Sequence, residues 1–381
     1  MRSIALPLAL IVLGPAGAQH TDTLRYYSAA FGAQREVLVH LPEFHRYAAP
    51  EVGMPVIILL DGQHDWFVEP LLNDIRYLQY THEVPQAIVV TIPLVDRVQE
   101  CAPDSINQPA TPLLRLLKEE LPPLIAPYHP GELTVLVGHS FSASFALYAY
   151  LQAPGALDAV IALSPLHQVK QSLPRVMDRL TDHVDERVWV AVGGVEPTKD
   201  GGHYDALVNA MKAADPPRAG GRFHFGEYPS AGHTSLPIIA FPELVTSYFG
   251  PYSMRDTLAP VDQEYQLRAA PPEPDVLVNE LRSTWHFMGT TLAGDLAELN
   301  GILSRLSNSG YLAHVEAVSR LGISLYPAYF GFYAWLGEAL KESDPERART
   351  ALHRALELLE EHERSTADYA DAKAEIEELL K

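Results

Sequence analysis

The residues able to do chemistry gather in one short string, Leu136-Val137-Gly138-His139-Ser140-Phe141-Ser142-Ala143. An apolar run that reads as a buried strand meets a tight turn, then an amphipathic stretch opening at Phe141, which is the layout of a nucleophile elbow. Such a turn holds its serine in strained backbone geometry, so the residues two before and two after must be small, here Gly138 and Ser142. Ser142 stands where the usual pattern has glycine, and Ala143 and Ser144 keep the helix start slim. A serine hydroxyl is nearly inert at neutral pH, so a base must reach it and a carboxylate must set the tautomer of that base. With the order Ser, acid, His along the chain, the base is expected after the last strand. His233, in the small-residue loop Ser230-Ala231-Gly232-His233-Thr234-Ser235, fits that place, whereas His224 falls inside a strand pattern. The acid is expected in the loop after the strand at 188–192, with Glu196 as first choice and Asp200 and Asp205 as rivals. The oxyanion formed on attack needs two preset backbone amides: Phe141, after the nucleophile, and Gly62 or Gln63 in the turn after the strand at 56–60. Asp61, just before them, reads as a turn-former.

The elements that must position these groups are legible as periodicity. Residues 34–41 alternate like an edge strand, while 56–60, 87–90 and 133–137 are near-continuous apolar runs, as in strands covered on both faces. Residues 158–163 and 187–192 repeat the pattern, and 222–225 add a last strand. Amphipathic stretches at 113–125 and 141–151 fall between them, the alternation of parallel βαβ units, so the first part is predicted to be α/β with a mostly parallel central sheet. After Pro260 the β-like runs vanish. Pro251, Pro260, Pro271, Pro272 and Pro274 mark a linker, because proline lacks an amide donor and resists helix and central strand alike. Beyond it, Glu316-Ala317-Val318-x-Arg320 recurs in kind as Thr350-Ala351-Leu352-x-Arg354, at the 34-residue offset of tetratricopeptide repeats. Trp335-Leu336-Gly337 followed by Ala348, Leu352 and Ala355 resembles that repeat, with Asp344-Pro345 at its turn; an ordinary helical hairpin is the competing reading. The acidic stretch from Glu357 to Lys381 reads as a solvated capping helix.

Composition narrows the function classes. The 381 residues suffice for two folding units, and 47% hydrophobic against 20% charged residues excludes a disordered chain. Lys plus Arg number 28 against 48 Asp plus Glu, and the resulting net charge of −20 repels polyphosphate, so nucleic acid is not an expected partner. One cysteine, Cys101, forms no internal disulfide and no zinc-cysteine site, and His64 with Asp65 lacks a spaced third ligand, so neither metal nor cofactor is called for. Arg2, an apolar run from Ile4 to Leu13, and Ala16-Gly17-Ala18 before Gln19 read as a secretory signal, placing the mature protein in the periplasm or outside the cell. No later stretch reaches the ~20 apolar residues of a membrane span. The expected domains are therefore a signal at 1–18, an α/β domain at 19–252, a linker at 253–274 and an all-α, tetratricopeptide-like domain at 275–381.

Taken in order, Leu59-Leu60-Asp61-Gly62-Gln63, Ile92-Pro93 with Asp96-Arg97 and Pro103, Gly138-His139-Ser140-Phe141, and Gly232-His233 before Pro237 resemble the esterase D and enterochelin-esterase-like family of α/β-hydrolases over roughly residues 25–250. The resemblance implies the α/β-hydrolase fold and hydrolysis of carboxylic esters, with related members transferring acyl groups instead. It also implies substrate contacts from the loop after Pro93. There the family pattern Asn-x-Asp-Arg-x-Arg-Asp is matched only by Asp96 and Arg97, which are carried over as pocket residues and read as a local ion pair. The expected function is a serine esterase on a small-molecule ester, with Ser140 as nucleophile, His233 as base, Glu196 as orienting acid, and Gln63 and Phe141 as oxyanion donors. Acyl transfer, and a catalytically idle scaffold whose helical tail binds a protein partner, are the competing readings.

Overall fold

Strands with no polar face to show to water must be covered on both sides, and the computed structural model has them at the centre of its sheet. It describes residues 20–101, 111–166, 172–195, 203–214, 219–250, 255–284, 286–287, 290–291 and 294–381. Eight strands form one sheet: β1 (His20–Ser28), β2 (Ala33–Leu41), β3 (Met54–Leu60), β4 (Ile88–Ile92), β5 (Pro130–His139), β6 (Ala159–Leu163), β7 (Arg187–Val195) and β8 (Phe223–Gly232), in the order β1-β2-β4-β3-β5-β6-β7-β8. Every residue of β3, β4 and β6 is buried. Only β2 runs against the rest, pairing antiparallel with β1 and β4, and the other pairings are parallel.

Period-two alternation divides the side chains between two apolar layers. Val56, Ile58 and Leu60 join the layer that holds Phe145 and Tyr150 of the helix Phe141–Gln152. Ile57 and Leu59 join the other, with Leu71 and Ile75 of the helix Asp65–Tyr80 and Leu244 and Phe249 of the helix Leu236–Phe249. The chain moves from β3 outward to β4, then returns to set β5 on the other flank of β3. That reversal opens a crevice at the carboxyl ends of β3 and β5, where ligands bind in open α/β sheets.

Two expectations are corrected. The alternating segment at 34–41 is not the edge of the sheet; β1 lies outside it, and its polar sequence HTDTLRYYS, largely in contact with water, offers no apolar run for a hydropathy reading to find. The segment at 113–125 is not one regular helix. It is a short α-turn (Pro112–Arg115), a π-helical turn (Leu116–Glu120) and a second α-turn (Leu121–Ile125) that contains Pro122 and Pro123, residues with no amide to donate.

After the sheet the described chain is mainly helical: Pro274–Thr284, Leu296–Asn308, Leu312–Leu325, Phe330–Leu340, Pro345–His362 and Tyr369–Leu379. This region docks on the amino ends of the strands. The Ala49 amide, before β3, donates to the Leu325 carbonyl at 2.8 Å, and the Gln86 amide, before β4, to the Asp295 carboxylate at 3.2 Å. Arg46 pairs with Glu363 at 3.1 Å, and the Tyr47 hydroxyl donates to the same carboxylate. The ten residues of β5, at ~3.3 Å each, set these contacts about 30 Å from the end that carries Ser140.

Candidate active site

β5 ends at His139 and the next helix starts at Phe141, so Ser140 alone makes the turn between them. Its backbone, at φ 60° and ψ −112°, lies outside the regions ordinary residues favour, a cost of roughly 1–3 kcal/mol that persists only where the surroundings impose it. Those surroundings are the Leu163 carbonyl at the end of β6, which accepts the Ser140 N–H at 2.9 Å, and the first helical turn, whose Ser144 N–H reaches the Ser140 carbonyl at 3.1 Å. Gly138 is required sterically, because a Cβ there would lie 2.4 Å from the Ser142 carbonyl oxygen.

Ser142, the departure from glycine, is part of a brace. Its buried hydroxyl accepts from the His139 N–H at 2.8 Å and donates to Asp61 at 2.6 Å. The His139 carbonyl, 2.9 Å from that hydroxyl, accepts a hydrogen bond from Arg97 at 2.7 Å. Arg97 then grips Asp61 with two bonds, of 2.5 and 3.0 Å. The partner of Arg97 is thus Asp61, not Asp96 as the sequence reading had it; exposed Asp96 accepts from the Gln99 amide at the start of the short helix Arg97–Cys101. Asp61 does turn the chain, at φ 64°, but it also ties together the loops after β3, β4 and β5. Its side chain is 1% exposed and that of Arg97 20%, so this charge pair is largely withdrawn from water. Sequence reasoning missed the hub because its partners lie 36 and 81 residues away.

The turn carrying the expected oxyanion donors is tied into the same network. The Gly62 N–H is committed to the Ile92 carbonyl at 2.9 Å, which removes it as a donor and leaves the Gln63 N–H. Gln63 is held by both ends of its amide, accepting from the Leu94 N–H at 2.7 Å and donating to Asp61 at 3.2 Å. A Cβ on Gly62 would come 2.7 Å from the Pro93 nitrogen, so the close crossing of these two turns needs glycine. Phe141 is the first residue of its helix, where an N–H has no intrahelical acceptor.

His233 follows β8 directly and is brought to the elbow. Its carbonyl accepts from His139 Nε2 at 2.9 Å, and the two rings stack obliquely with centroids 4.6 Å apart. Because that acceptor is a carbonyl, His139 must carry its proton on Nε2. Burial, helped by the neighbouring His233 and Arg97, lowers the His139 pKa to about 4, so this ring is neutral across the physiological range. β7 ends at Val195, whose backbone pairs with Gly232, the residue before His233. Glu196 and Asp200 lie outside the described residues, and Asp205 is exposed in the first turn of the helix His203–Ala213. The rings of Phe67 and Trp66 also lie against His139, with centroids at 5.8 and 5.6 Å, and His64 stacks on Trp66 at 5.5 Å. Among the described residues no three His, Cys, Asp or Glu side chains cluster as a metal site, and no helix is long and apolar enough to cross a membrane.

This arrangement offers a strained serine, a neighbouring histidine loop and two backbone amides, of Gln63 and Phe141, without a hydrogen-bond partner among the described residues, at the carboxyl ends of a mostly parallel sheet. A family model for esterases matches residues 28–236, more than half of the chain. The chain belongs to the esterase family. This esterase is thus a carboxylic ester hydrolase built on a mostly parallel sheet. Its structure is similar to that of an IroE-like serine hydrolase from Shewanella oneidensis, with a TM-score of 0.61 and 18% identity over 80% of this chain and 99% of that one. It is also similar to an uncharacterised protein from Capnocytophaga ochracea, with a TM-score of 0.56 and 14% identity over 94% of this chain and all of the other (100%). At such identities the likeness is one of fold, and in the second case it takes in the helical region too. No curated protein matches the sequence.

Proposed function

We infer that this esterase works through an acyl-enzyme. Ser140 attacks the ester carbonyl, His233 takes the serine proton and returns it to the leaving alcohol, and a carboxylate after β7, with Glu196 ahead of Asp200 and Asp205, orients His233. The N–H groups of Gln63 and Phe141 receive the developing oxyanion. Water then repeats the attack and frees Ser140. The observation that carries this reading is Ser140 itself, at φ 60° between β5 and its helix, beside a His233 loop that hydrogen-bonds to the adjacent His139. Its test is covalent labelling: a fluorophosphonate probe is expected on Ser140 of the wild type and absent from Ser140→Ala. Equal labelling of the two would remove Ser140 from the mechanism.

The secretory reading of residues 1–18 supports action in the periplasm or outside the cell, on a small-molecule ester. The helical tail is read as a tetratricopeptide-like unit able to take a protein partner. Supporting that reading, Gly337 lies where a Cβ would come 2.5 Å from the Leu352 side chain, the close helix crossing that the repeat pattern anticipates.

A further inference from the structure

A cavity of about 290 Å³ lies between the sheet, the helix Phe141–Gln152 and the broken helical segment at 112–125. That volume is close to the lower end of the ~300–1,000 Å³ of small-molecule sites. Its floor is aliphatic, with Val56, Ile58, Leu121 and Ala149 all buried. The sequence makes the space. Phe145 fills the inner face of the helix, but the residues one and two turns on, Ala149 and Ala153, end at Cβ. Opposite them a π-helical turn and two prolines divide the 112–125 segment, so no regular helix packs into the gap. The cavity is apart from the serine: Thr134, which lines it, lies six residues before Ser140, about 20 Å along β5 at ~3.3 Å per residue.

Lys118, Glu132 and Thr134 are the polar members of the lining. β5 turns Glu132 and Thr134 to this side, by the alternation that sets Leu136 in one apolar layer and Leu133 and Val135 in the other. Lys118 comes from the π-helical turn. Lys118 and Glu132 are exposed and, with exposed Ala156, mark the mouth. The carboxylates next to Lys118 in the chain are engaged elsewhere, Glu119 with Arg115 at 3.5 Å, and Glu120 with the Ser28 hydroxyl at 2.6 Å and the Ala30 amide at 2.8 Å. Among the described residues neither the Lys118 ammonium nor the Glu132 carboxylate makes a hydrogen bond or ion pair. The mouth therefore sets one cationic donor and one anionic acceptor over an apolar interior. A hydroxyl suits both, accepting from Lys118 and donating to Glu132, whereas a carboxylate or an ammonium meets one of them as a like charge.

We propose that this cavity is a second binding site, separate from Ser140, for an uncharged aliphatic alcohol whose chain enters the cavity and whose hydroxyl stays between Lys118 and Glu132. At about 30 Å³ for each water-sized group, the cavity takes roughly ten non-hydrogen atoms, the size of octanol. The test is calorimetric titration of the full chain with n-butanol, n-hexanol, n-octanol and n-decanol, and with octanoate and octylammonium. Affinity is expected to rise by about 4-fold for each methylene buried up to octanol and to gain nothing further at decanol, with octanoate and octylammonium both weaker than octanol. Glu132→Gln should tighten octanoate by about 5-fold, the effect of one like charge near 4 Å in water. Ala149→Leu fills the interior and should weaken octanol by about 10-fold or more. Ala156→Trp, at an exposed position where folding is not at stake, obstructs the mouth and should weaken octanol as well. A flat chain-length series, octanoate or octylammonium binding as tightly as octanol, or undiminished octanol binding in Ala149→Leu and Ala156→Trp overturns the site. Octanol binding that disappears once a fluorophosphonate occupies Ser140 would put the alcohol at the serine and overturn it too. Every decisive readout is binding, so failure here leaves the acyl-enzyme reading untouched, and failure of that reading leaves the titrations intact.

Discussion

Two buried aspartates, one at each end of the sheet, solve the same electrostatic problem differently. Asp61, at the carboxyl ends, meets a guanidinium and a hydroxyl contributed by other loops. Asp295, at the amino ends, accepts, among the described residues, only backbone amides: Ala297 at 2.8 Å and Glu298 at 3.3 Å, as the cap of the helix Leu296–Asn308, and Gln86 from the sheet domain at 3.2 Å. Burial pushes the Asp295 pKa up, with these amides pulling against it. The contrast is instructive. A charge pair with fixed fork geometry holds three loops in register where a reaction needs them, whereas a capping carboxylate fastens one helix to one turn where only docking is needed.

The largest expected break is at the chemistry itself. Ser140→Ala should lower kcat by ~10⁴-fold or more, since members of such a unit are not additive and loss of the nucleophile alone removes most of the acceleration; steady-state hydrolysis of p-nitrophenyl hexanoate measures it. Next comes the brace. Asp61→Asn leaves Arg97 facing a neutral amide, and breaking a buried pair costs 3–5 kcal/mol. The 20% exposure of Arg97 sets the expected loss at about 3 kcal/mol, read by urea unfolding, together with a fall in kcat because the elbow and the Gln63 turn lose their common tie. Wild-type stability with unchanged kcat would show the brace to be idle.

A smaller effect belongs to pH. The folded-state pKa of His139 is depressed from 6.5 to about 4, so its neutral form is favoured by folding. Its contribution is complete above pH 6.5 and is lost as pH falls from 6.5 towards 4, with a slope of at most ~1.4 kcal/mol per pH unit. His139→Gln keeps an N–H for the His233 carbonyl and removes the titration, so its unfolding free energy should fall less steeply over that window than that of the wild type. Parallel curves would deny His139 this role. His40, buried between β2 and β4 and likewise lowered to about 4, titrates in both proteins and cancels from the comparison. The smallest effect is expected at the other aspartate. Asp295→Ala should cost about 1 kcal/mol through loss of the cap, lowering Tm while leaving kcat/KM intact, because the docking surface lies at the opposite end of the strands.

Much of the fold was legible because β3, β4, β5 and β6 are covered on both faces, and such strands carry unbroken aliphatic runs that polar loops interrupt. β1 was not, since an edge strand in contact with water needs no such run. The elbow was legible too: small residues around a serine at a strand-to-helix junction answer a steric demand set by immediate neighbours, and Gly138 meets it against Ser142, four residues on. The Asp61 hub and the aromatic contacts of His139 were hidden for the opposite reason. Each joins segments remote in the chain, and no local pattern records which carboxylate a guanidinium will find.

The amino-acid sequence by itself determined where most strands and helices form and where the backbone must be strained, because propensity, periodicity and steric demand act over a few residues. Tertiary structure alone decided that Arg97 is held by Asp61, that the Gly62 amide is committed to the Ile92 carbonyl, and that the helical tail sits away from the serine. Those outcomes depend on which surfaces meet once the sheet has closed, and a buried charge or amide settles only when every group around it is in place.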